Sequence, residues 1–197
     1  SQVWCWVALD RGALLARDQG DLERAERWQA QAEAIRARIL AAADRVGFFA
    51  QTLDGDDADA SSLQFIQVGL VPPRDPRFVA TVRRCERDLL VDGLMRRYVA
   101  EDDFGETTST FSICTLWWIE ALAAIGERQA ARDALARFEA FGNPLGLFAE
   151  DVDPAQGRQL GNFPQAYTHL ALVNARQAVA SARGPDCPLT GAPGQAS

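Results

Sequence analysis

The stretch "FSICTLWWIEALAAIGERQAARDALARF", Phe111 to Phe138, joins two helices of different character through a Gly-Glu break. The first, Phe111–Ile125, is apolar on almost every side, while the second, beginning at Arg128, has one apolar stripe made of Ala131, Leu135 and Phe138. A helix that is apolar all round must be covered all round, whereas a helix with one apolar stripe covers something and faces water. The pair therefore predicts two layers of helices.

The same order of helices occurs elsewhere in the chain. The predicted helices are Val3–Asp18, Leu22–Ala43, Ala60–Val68, Arg77–Leu90, Phe111–Ile125, Arg128–Phe141 and Gln165–Ala182. Those expected in the inner layer begin near positions 3, 59, 111 and 164, at intervals of 56, 52 and 53 residues. A period near fifty indicates a repeated pair of helices. We expect an all-α domain over residues 1–182, with short strands only near Phe48–Thr52 or Met95–Val99, and a disordered Gly/Pro-rich tail over 183–197.

Composition and charge exclude several classes of partner. The 197 residues carry a net charge of −7, which argues against nucleic acid or an anionic membrane as the main partner because both need a basic face. No apolar run reaches the roughly 18 residues of a membrane span, so we expect a cytoplasmic protein. The four cysteines form no CxxC pair, and His169 is the single histidine. We therefore predict no cofactor and no metal site.

Acidic residues are concentrated where the chain turns. "LFAEDVDPAQG", Leu147 to Gly157, places Glu150, Asp151 and Asp153 within a few residues, and Asp153-Pro154 is typical of the start of a turn. These carboxylates could form a solvated loop, a metal site or an acid/base site. In a two-layered ring, such connections gather at one end, where acidic and aromatic residues make a sugar or cation site.

Four stretches together resemble a known family: "SQVWCWVALDR", "RRYVAEDDFG", "TFSICTLWWIEALAAIG" and "NPLGLFAEDVDPAQGRQLGNFPQAY". In this order they resemble the C-terminal half of the catalytic domain of glycoside hydrolase family 15, which holds glucoamylases, glucodextranases and bacterial trehalases. The resemblance covers Ser1 to about Arg176 and is most specific in the last stretch. It implies an (α/α)6 barrel, of which about 3.5 of the six helical hairpins are expected here.

The resemblance also implies site residues. Members of the family are inverting hydrolases with two glutamates, and Glu150 matches the general base. The general acid lies in a "WE" motif upstream of the stretch matching "SQVWCW", so it is expected outside these residues. Arg97, next to Tyr98, matches an arginine that binds the sugar, and Asp102 or Asp103 is expected to orient it. A surface arginine among neighbouring carboxylates is the alternative interpretation of Arg97.

Aromatic and polar residues complete the expected site. Phe111 matches an aromatic position near the family's site, and Trp4 could stack on sugar. Asn162 and Gln165 are expected to brace the loop rather than bind sugar. His169 is expected to be a hydrogen-bonded core histidine.

Three functions remain open at this point. The first is an inverting hydrolase of glucoamylase type that releases β-glucose from an α-glucan or α-gluco-oligosaccharide. The second is a trehalase of the same family, acting on trehalose. The third is an inactive helical toroid that serves as a binding or interaction module. Because the acid's motif is absent, we expect the 197 residues alone to be inactive under any of these interpretations.

Overall fold

The structure is a computed structural model that describes residues 1–99 and 109–181. Its α-helices are α1 (Gln2–Asp18), α2 (Leu22–Val46), α3 (Pro76–Leu89), α4 (Ser112–Ala124), α5 (Arg128–Glu139) and α6 (Ala166–Ala180). A 3₁₀ helix spans Ala60–Ile66. The mostly helical fold expected from the sequence is confirmed. The predicted tail at 183–197 lies outside the described residues.

Local signals in the sequence explain where the helices begin and end. Asp21 precedes α2 and its side chain accepts a hydrogen bond from the backbone N–H of Arg24 at 3.1 Å. Asp75 does the same for α3, where it accepts from the N–H of Arg77 at 2.9 Å and is followed by a proline. Each cap satisfies a backbone donor that the first turn of a helix leaves without a partner. Gly47 ends α2 with a φ of 84°, a conformation that suits glycine.

α4 and α5 differ as the sequence predicts, one covered and one with a single apolar stripe, whereas α1 and α6, also expected in the inner layer, each leave an apolar face exposed. α4 contacts α5, α6 and the 3₁₀ helix, and its Leu116 and Ile119 are fully buried. α5 instead buries the single stripe that contains Ala131 and Phe138. α1 packs chiefly on α2. The arrangement places the starts of α4 and α6 near one another, and the segment that precedes α6 carries Glu150, Asp151 and Asp153.

The secondary structure departs from the sequence prediction in several details. The segment predicted as an α-helix over Ala60–Val68 is the shorter 3₁₀ helix, and no strand forms near Phe48–Thr52, where the chain turns after α2. The strand expected near Met95–Val99 lies slightly earlier: β1 (Leu90–Val91) pairs with β2 (Leu94–Met95). A tight turn at Asp92 and Gly93, both with positive φ, closes this hairpin and so fixes its position.

A three-stranded antiparallel sheet lies at the start of α4, and the prediction that strands form only near Phe48–Thr52 or Met95–Val99 is therefore wrong. The sheet consists of β3 (Thr110–Phe111), β4 (Asp151–Asp153) and β5 (Arg158–Leu160), with β4 in the middle. In the register, Asp151 faces Phe111 on one side and Leu160 on the other. The sheet ties the acidic loop to the N-terminus of α4 and thereby fixes the direction of Glu150.

Exposed large apolar side chains are concentrated on α1 and α6. On α1, Trp4 and Leu15 are 54% and 64% exposed. On α6, Tyr167, Leu170 and Val173 are more than half exposed and lie on one side of the helix. Apart from these faces the helices are amphipathic or buried, and within residues 1–99 and 109–181 none is both long and apolar enough to cross a membrane.

Candidate active site

Glu150 stands at the junction of three elements: it immediately precedes β4, and its backbone contacts the first residue of α4 and the chain before α6. The N–H of Ser112, which opens α4, donates to the carbonyl of Glu150 at 2.9 Å. The N–H of Glu150 donates to the carbonyl of Asn162 at 3.0 Å. The backbone of Glu150 is therefore anchored in both directions.

The preceding residue, Ala149, is anchored in the same way. Its N–H donates to Oε1 of Gln159 at 2.5 Å, and its carbonyl accepts from the hydroxyl of Thr168 on α6 at 3.1 Å. Gln159 also donates through Nε2 to the carbonyl of Phe141 at 2.7 Å. The side chains of Gln159 and Thr168 thus supply backbone hydrogen bonds that a helix or sheet would supply in a regular segment.

Phe148 completes the anchored segment, and the single histidine is one of its partners. The N–H of Gln165 donates to the carbonyl of Phe148 at 3.0 Å, and the N–H of Phe148 points to Nε2 of His169 at 3.4 Å. Nδ1 of His169 lies 2.7 Å from the carbonyl of Gln165. Since Nδ1 faces an acceptor and Nε2 faces a donor, the neutral ring with its proton on Nδ1 satisfies both. The structural role predicted for His169, and the bracing role predicted for Gln165, match this geometry.

Every backbone polar group from Phe148 to Glu150 thus has a partner. Such complete pairing holds a short irregular segment in one conformation, because a different path would leave buried donors or acceptors without partners. A catalytic side chain needs this kind of support when it stands on a loop.

The carboxylate of Glu150 is held at one oxygen. Oε2 accepts from the backbone N–H of Asn162 at 3.2 Å and from its side-chain Nδ2 at 2.8 Å. The residue remains partly exposed, so its carboxylate can meet solvent. This combination of a fixed orientation and access to water is what a general base requires.

Asp151 lies beside Glu150 in a different environment. Its Oδ2 accepts from the hydroxyl of Ser109 at 3.0 Å. Burial raises the pKa of Asp151, and the neighbouring charge of Glu150 raises it further, while the bond from Ser109 acts in the opposite direction. The third carboxylate, Asp153, accepts from the N–H of Ala155 at 2.9 Å and so starts the predicted turn.

Arg97 lies at the same end of α4 as this acidic segment. Its carbonyl accepts from the N–H of Ala60, and its guanidinium stands 5.7 Å from the ring of Tyr98. Met95, two residues earlier, donates its N–H to the hydroxyl of Thr115 in the first turn of α4 at 2.9 Å. The chain beside Arg97 therefore lies against the same turn of α4 whose first residue contacts the carbonyl of Glu150.

The other predicted site residues have mixed placements. Phe111 is partly buried in β3, opposite Asp151. Trp4 borders a cleft of about 310 Å³ whose lining includes Gln51 and Ser62 but neither Glu150 nor Arg97. Asp102 and Asp103 lie outside the described residues.

Two features were not foreseen from the sequence. One is that Asn162 donates hydrogen bonds directly to the carboxylate of Glu150, whereas the sequence analysis expected it only to brace the loop. The other is Glu120, a carboxyl group in α4 that is only 7% exposed. The sequence did contain a signal for a buried carboxyl group, because Glu120 is the one charged residue of α4. Within the part of the chain that the structure describes, no group of three His, Cys, Asp or Glu side chains is placed to hold a metal ion.

Comparison with known proteins agrees with the resemblance. The sequence model of the family described as "Glycosyl hydrolases family 15" matches residues 1–139 and 127–177. A trehalase of Mycolicibacterium smegmatis is 45% identical over 89% of this chain, and one of Thermoplasma acidophilum is 35% identical over 88%. The chain spans only 27% and 30% of the length of these two relatives.

Solved structures share the fold. A wild-type glycosidase superimposes with a TM-score of 0.71 at 21% identity, covering 88% of this chain and 50% of its own. A bacterial glucoamylase complexed with acarbose gives a TM-score of 0.71 at 16% identity, covering 90% of this chain and 33% of its own. At such identities the likeness establishes the glucoamylase-like architecture.

Proposed function

The chain belongs to glycosyl hydrolase family 15, and on that premise we propose that it supplies the general base, Glu150, of an inverting α-glucoside hydrolase. The observation that carries the proposal is the anchoring of Glu150: its backbone is paired in both directions, one carboxylate oxygen is held by Asn162, and the side chain still reaches solvent. The proposed catalytic role rests on this geometry together with the family's use of a glutamate at the matching position.

In the proposed mechanism Glu150 removes a proton from a water molecule. The oxygen of that water attacks the anomeric carbon from the face opposite the departing group, and the bond to the leaving oxygen breaks. A general acid protonates the leaving oxygen and stands roughly 6.5–9.5 Å from the base, which leaves space for the water. We place this acid in the part of the family's domain that the 197 residues do not cover, so this stretch alone is expected to be inactive.

Arg97 is the proposed sugar-binding cation of the site. The chain beside Arg97 lies against the first turn of α4, as Glu150 does, and Tyr98 stands next to the guanidinium; this supports donation to hydroxyl groups of the sugar whose bond is cleaved. Tyr98 and Phe111 would supply apolar surface for the ring. Trp4 would contact sugar only from the neighbouring cleft beside α1. Asp102 or Asp103 remains the predicted residue that orients Arg97.

We further propose that the described helices form part of an (α/α)6 barrel. The exposed apolar faces of α1 and α6 support this, since they are the surfaces that further hairpins would cover in a closed ring. The share of the solved relatives that the chain covers, 50% and 33%, is consistent with a partial barrel. A cytoplasmic location remains a prediction from the sequence.

Trehalose is the substrate that the comparisons favour, because the curated relatives at 45% and 46% identity are both named trehalases. An α-gluco-oligosaccharide is the second candidate, favoured by the glucoamylase among the solved relatives. The discriminating experiment offers each sugar separately to the full-length protein and compares kcat/KM. Preference for the oligosaccharide would leave the family assignment intact and replace trehalose as the substrate.

The anomers released at early times test the mechanism. Inversion turns the attacked half of trehalose into β-glucose, while the departing half keeps its α configuration, so ¹H NMR should show the two anomers in equal amounts. A retaining enzyme would release only α-glucose at first and would contradict the role of Glu150 as a base. Absence of turnover on either sugar by the full-length protein would favour the binding-module interpretation.

A further inference from the structure

We infer that Asn162 is a positioning residue that holds Oε2 of Glu150, so that Oε1 is the oxygen that receives the proton of the attacking water. The inference rests on the proposed function, because it concerns the same carboxylate. It goes further in assigning the two carboxylate oxygens different tasks and in naming the residue that separates them.

The contacts between Asn162 and Glu150 form a reciprocal set. Asn162 donates to Oε2 twice, from its backbone N–H at 3.2 Å and from Nδ2 at 2.8 Å. Its carbonyl in turn accepts from the N–H of Glu150 at 3.0 Å. Three bonds between two residues fix both the backbone and the side chain of the glutamate. Both donors converge on the same oxygen, so neither hydrogen bond from Asn162 uses Oε1.

The hydrogen bonds from Asn162 matter because a glutamate carboxylate rotates easily about the last bond of its side chain. Rotation about that bond has broad, roughly two-fold minima, so a carboxylate without partners samples many orientations. Asn162 is exposed to solvent, and hydrogen bonds in such a place add little to the free energy of unfolding. Their effect is on orientation, and a base that is misplaced by about 1 Å can lose on the order of 10²-fold in rate.

The neighbouring residue is shaped for the same contact. Gly161 has a φ of 75°, and a Cβ placed on it would lie 2.9 Å from Oε2 and 3.1 Å from Cβ of Glu150. Only a residue without a side chain lets the chain pass this close to the glutamate in that conformation. The approach of Gly161 is what brings both donors of Asn162 within reach of Oε2.

The test compares three variants of the full-length protein. Asn162→Ala removes one donor, and Asn162→Asp keeps the shape but replaces that donor with a charged acceptor facing Oε2. Gln156→Ala is the matched control, because this exposed amide lies in the turn of the same hairpin, and among the described residues Gln156 donates through its backbone N–H alone. We expect kcat to fall roughly 10- to 100-fold for Asn162→Ala and further for Asn162→Asp, with KM within about twofold, and no change for the control.

A second measurement shows whether the effect acts through the carboxylate. In Glu150→Ala, azide can attack the anomeric carbon from the face that water would use; the bond to the leaving oxygen breaks, and the general acid protonates that oxygen. No base is needed there, so adding Asn162→Ala to Glu150→Ala should change the azide-driven rate by less than about twofold. This readout stays valid if Asn162→Ala alone lowers stability.

The results of these experiments distinguish the positioning role of Asn162 from the proposed role of Glu150 as the base. Normal kcat in Asn162→Ala and Asn162→Asp, together with an inactive Glu150→Gln, would overturn the positioning role and leave the base in place. An equal loss of the azide-driven rate would also overturn it, since the effect would not depend on the carboxylate. An active Glu150→Gln would instead remove the proposed base itself.

Discussion

Glu120 is a carboxyl group inside the apolar helix α4, and its replacement by glutamine should make the protein more stable at neutral pH. Its Oε2 accepts from Nε2 of Gln67 at 2.6 Å, while Oε1 has no hydrogen-bond partner among the described residues. Burial raises the pKa of Glu120 from 4.5 to about 8. The folded protein therefore holds the proton that the unfolded chain gives up to water.

The sign and size of the effect follow from this difference in pKa. Because the pKa is higher in the folded state, the unfolded state loses its proton first, and stability falls as the pH rises from about 4.5 to 8. Each pH unit of that interval is worth about 1.4 kcal/mol, so on the order of 2–3 kcal/mol should be lost between pH 5 and pH 7. Glutamine has the size of the protonated acid and cannot ionise, so Glu120→Gln should not show this loss.

The assay is urea unfolding of the wild type and Glu120→Gln at several pH values between 5 and 8. The free energy of unfolding of the variant minus that of the wild type isolates the contribution of Glu120 and should grow by about 2–3 kcal/mol from pH 5 to pH 7. Glu33→Gln, at an exposed glutamate of α2, is the control and should give a flat difference. Parallel curves for Glu120→Gln and the wild type would refute the reasoning, because they would mean that Glu120 is ionised and paired in the folded protein.

Two further variants test the sugar site and the partial barrel. Arg97→Ala should lower kcat/KM roughly 10- to 100-fold, because the sugar hydroxyls lose a charged donor. The control Arg87→Ala, at an exposed arginine of α3, should leave kcat/KM unchanged. Equal kinetics for both variants would mean that Arg97 is a surface arginine. Leu170→Glu, on the exposed face of α6, should destabilise the full-length protein by about 2 kcal/mol or more if further helices cover that face. A free energy of unfolding, measured by thermal unfolding, within about 0.5 kcal/mol of wild type would show that they do not.

Helix positions were predictable from the sequence because the signals are local. Asp75 and Pro76 mark the start of α3 within two residues, and the observed helix begins at that proline. The apolar residues on every side of α4 and the single apolar stripe of α5 likewise predict which helix is covered, because the residues in each turn show which sides of that turn are buried. The error at Ala60–Ile66 concerns helix type, which short apolar runs do not specify.

The support of the site could not be predicted to the same depth. β3 and β4 are separated by about forty residues, and their pairing depends on how α4 and the acidic loop meet in space. The hairpin of β4 and β5 did leave a signal in Asp153-Pro154 and in Gly157, which has a φ of 64°. The bonds from Asn162 to Glu150 had none, because nothing in the spacing of the two residues says that one oxygen receives both donors.

The claim that Glu150 is the general base is tested most directly by the turnover of Glu150→Gln in the full-length protein. The amide keeps the size of the side chain but cannot accept the proton of the attacking water, so kcat on trehalose should fall roughly 10²- to 10⁴-fold while substrate binding, measured by calorimetry, stays nearly the same. A Glu150→Gln protein that turns over trehalose at close to the wild-type rate would contradict the assignment.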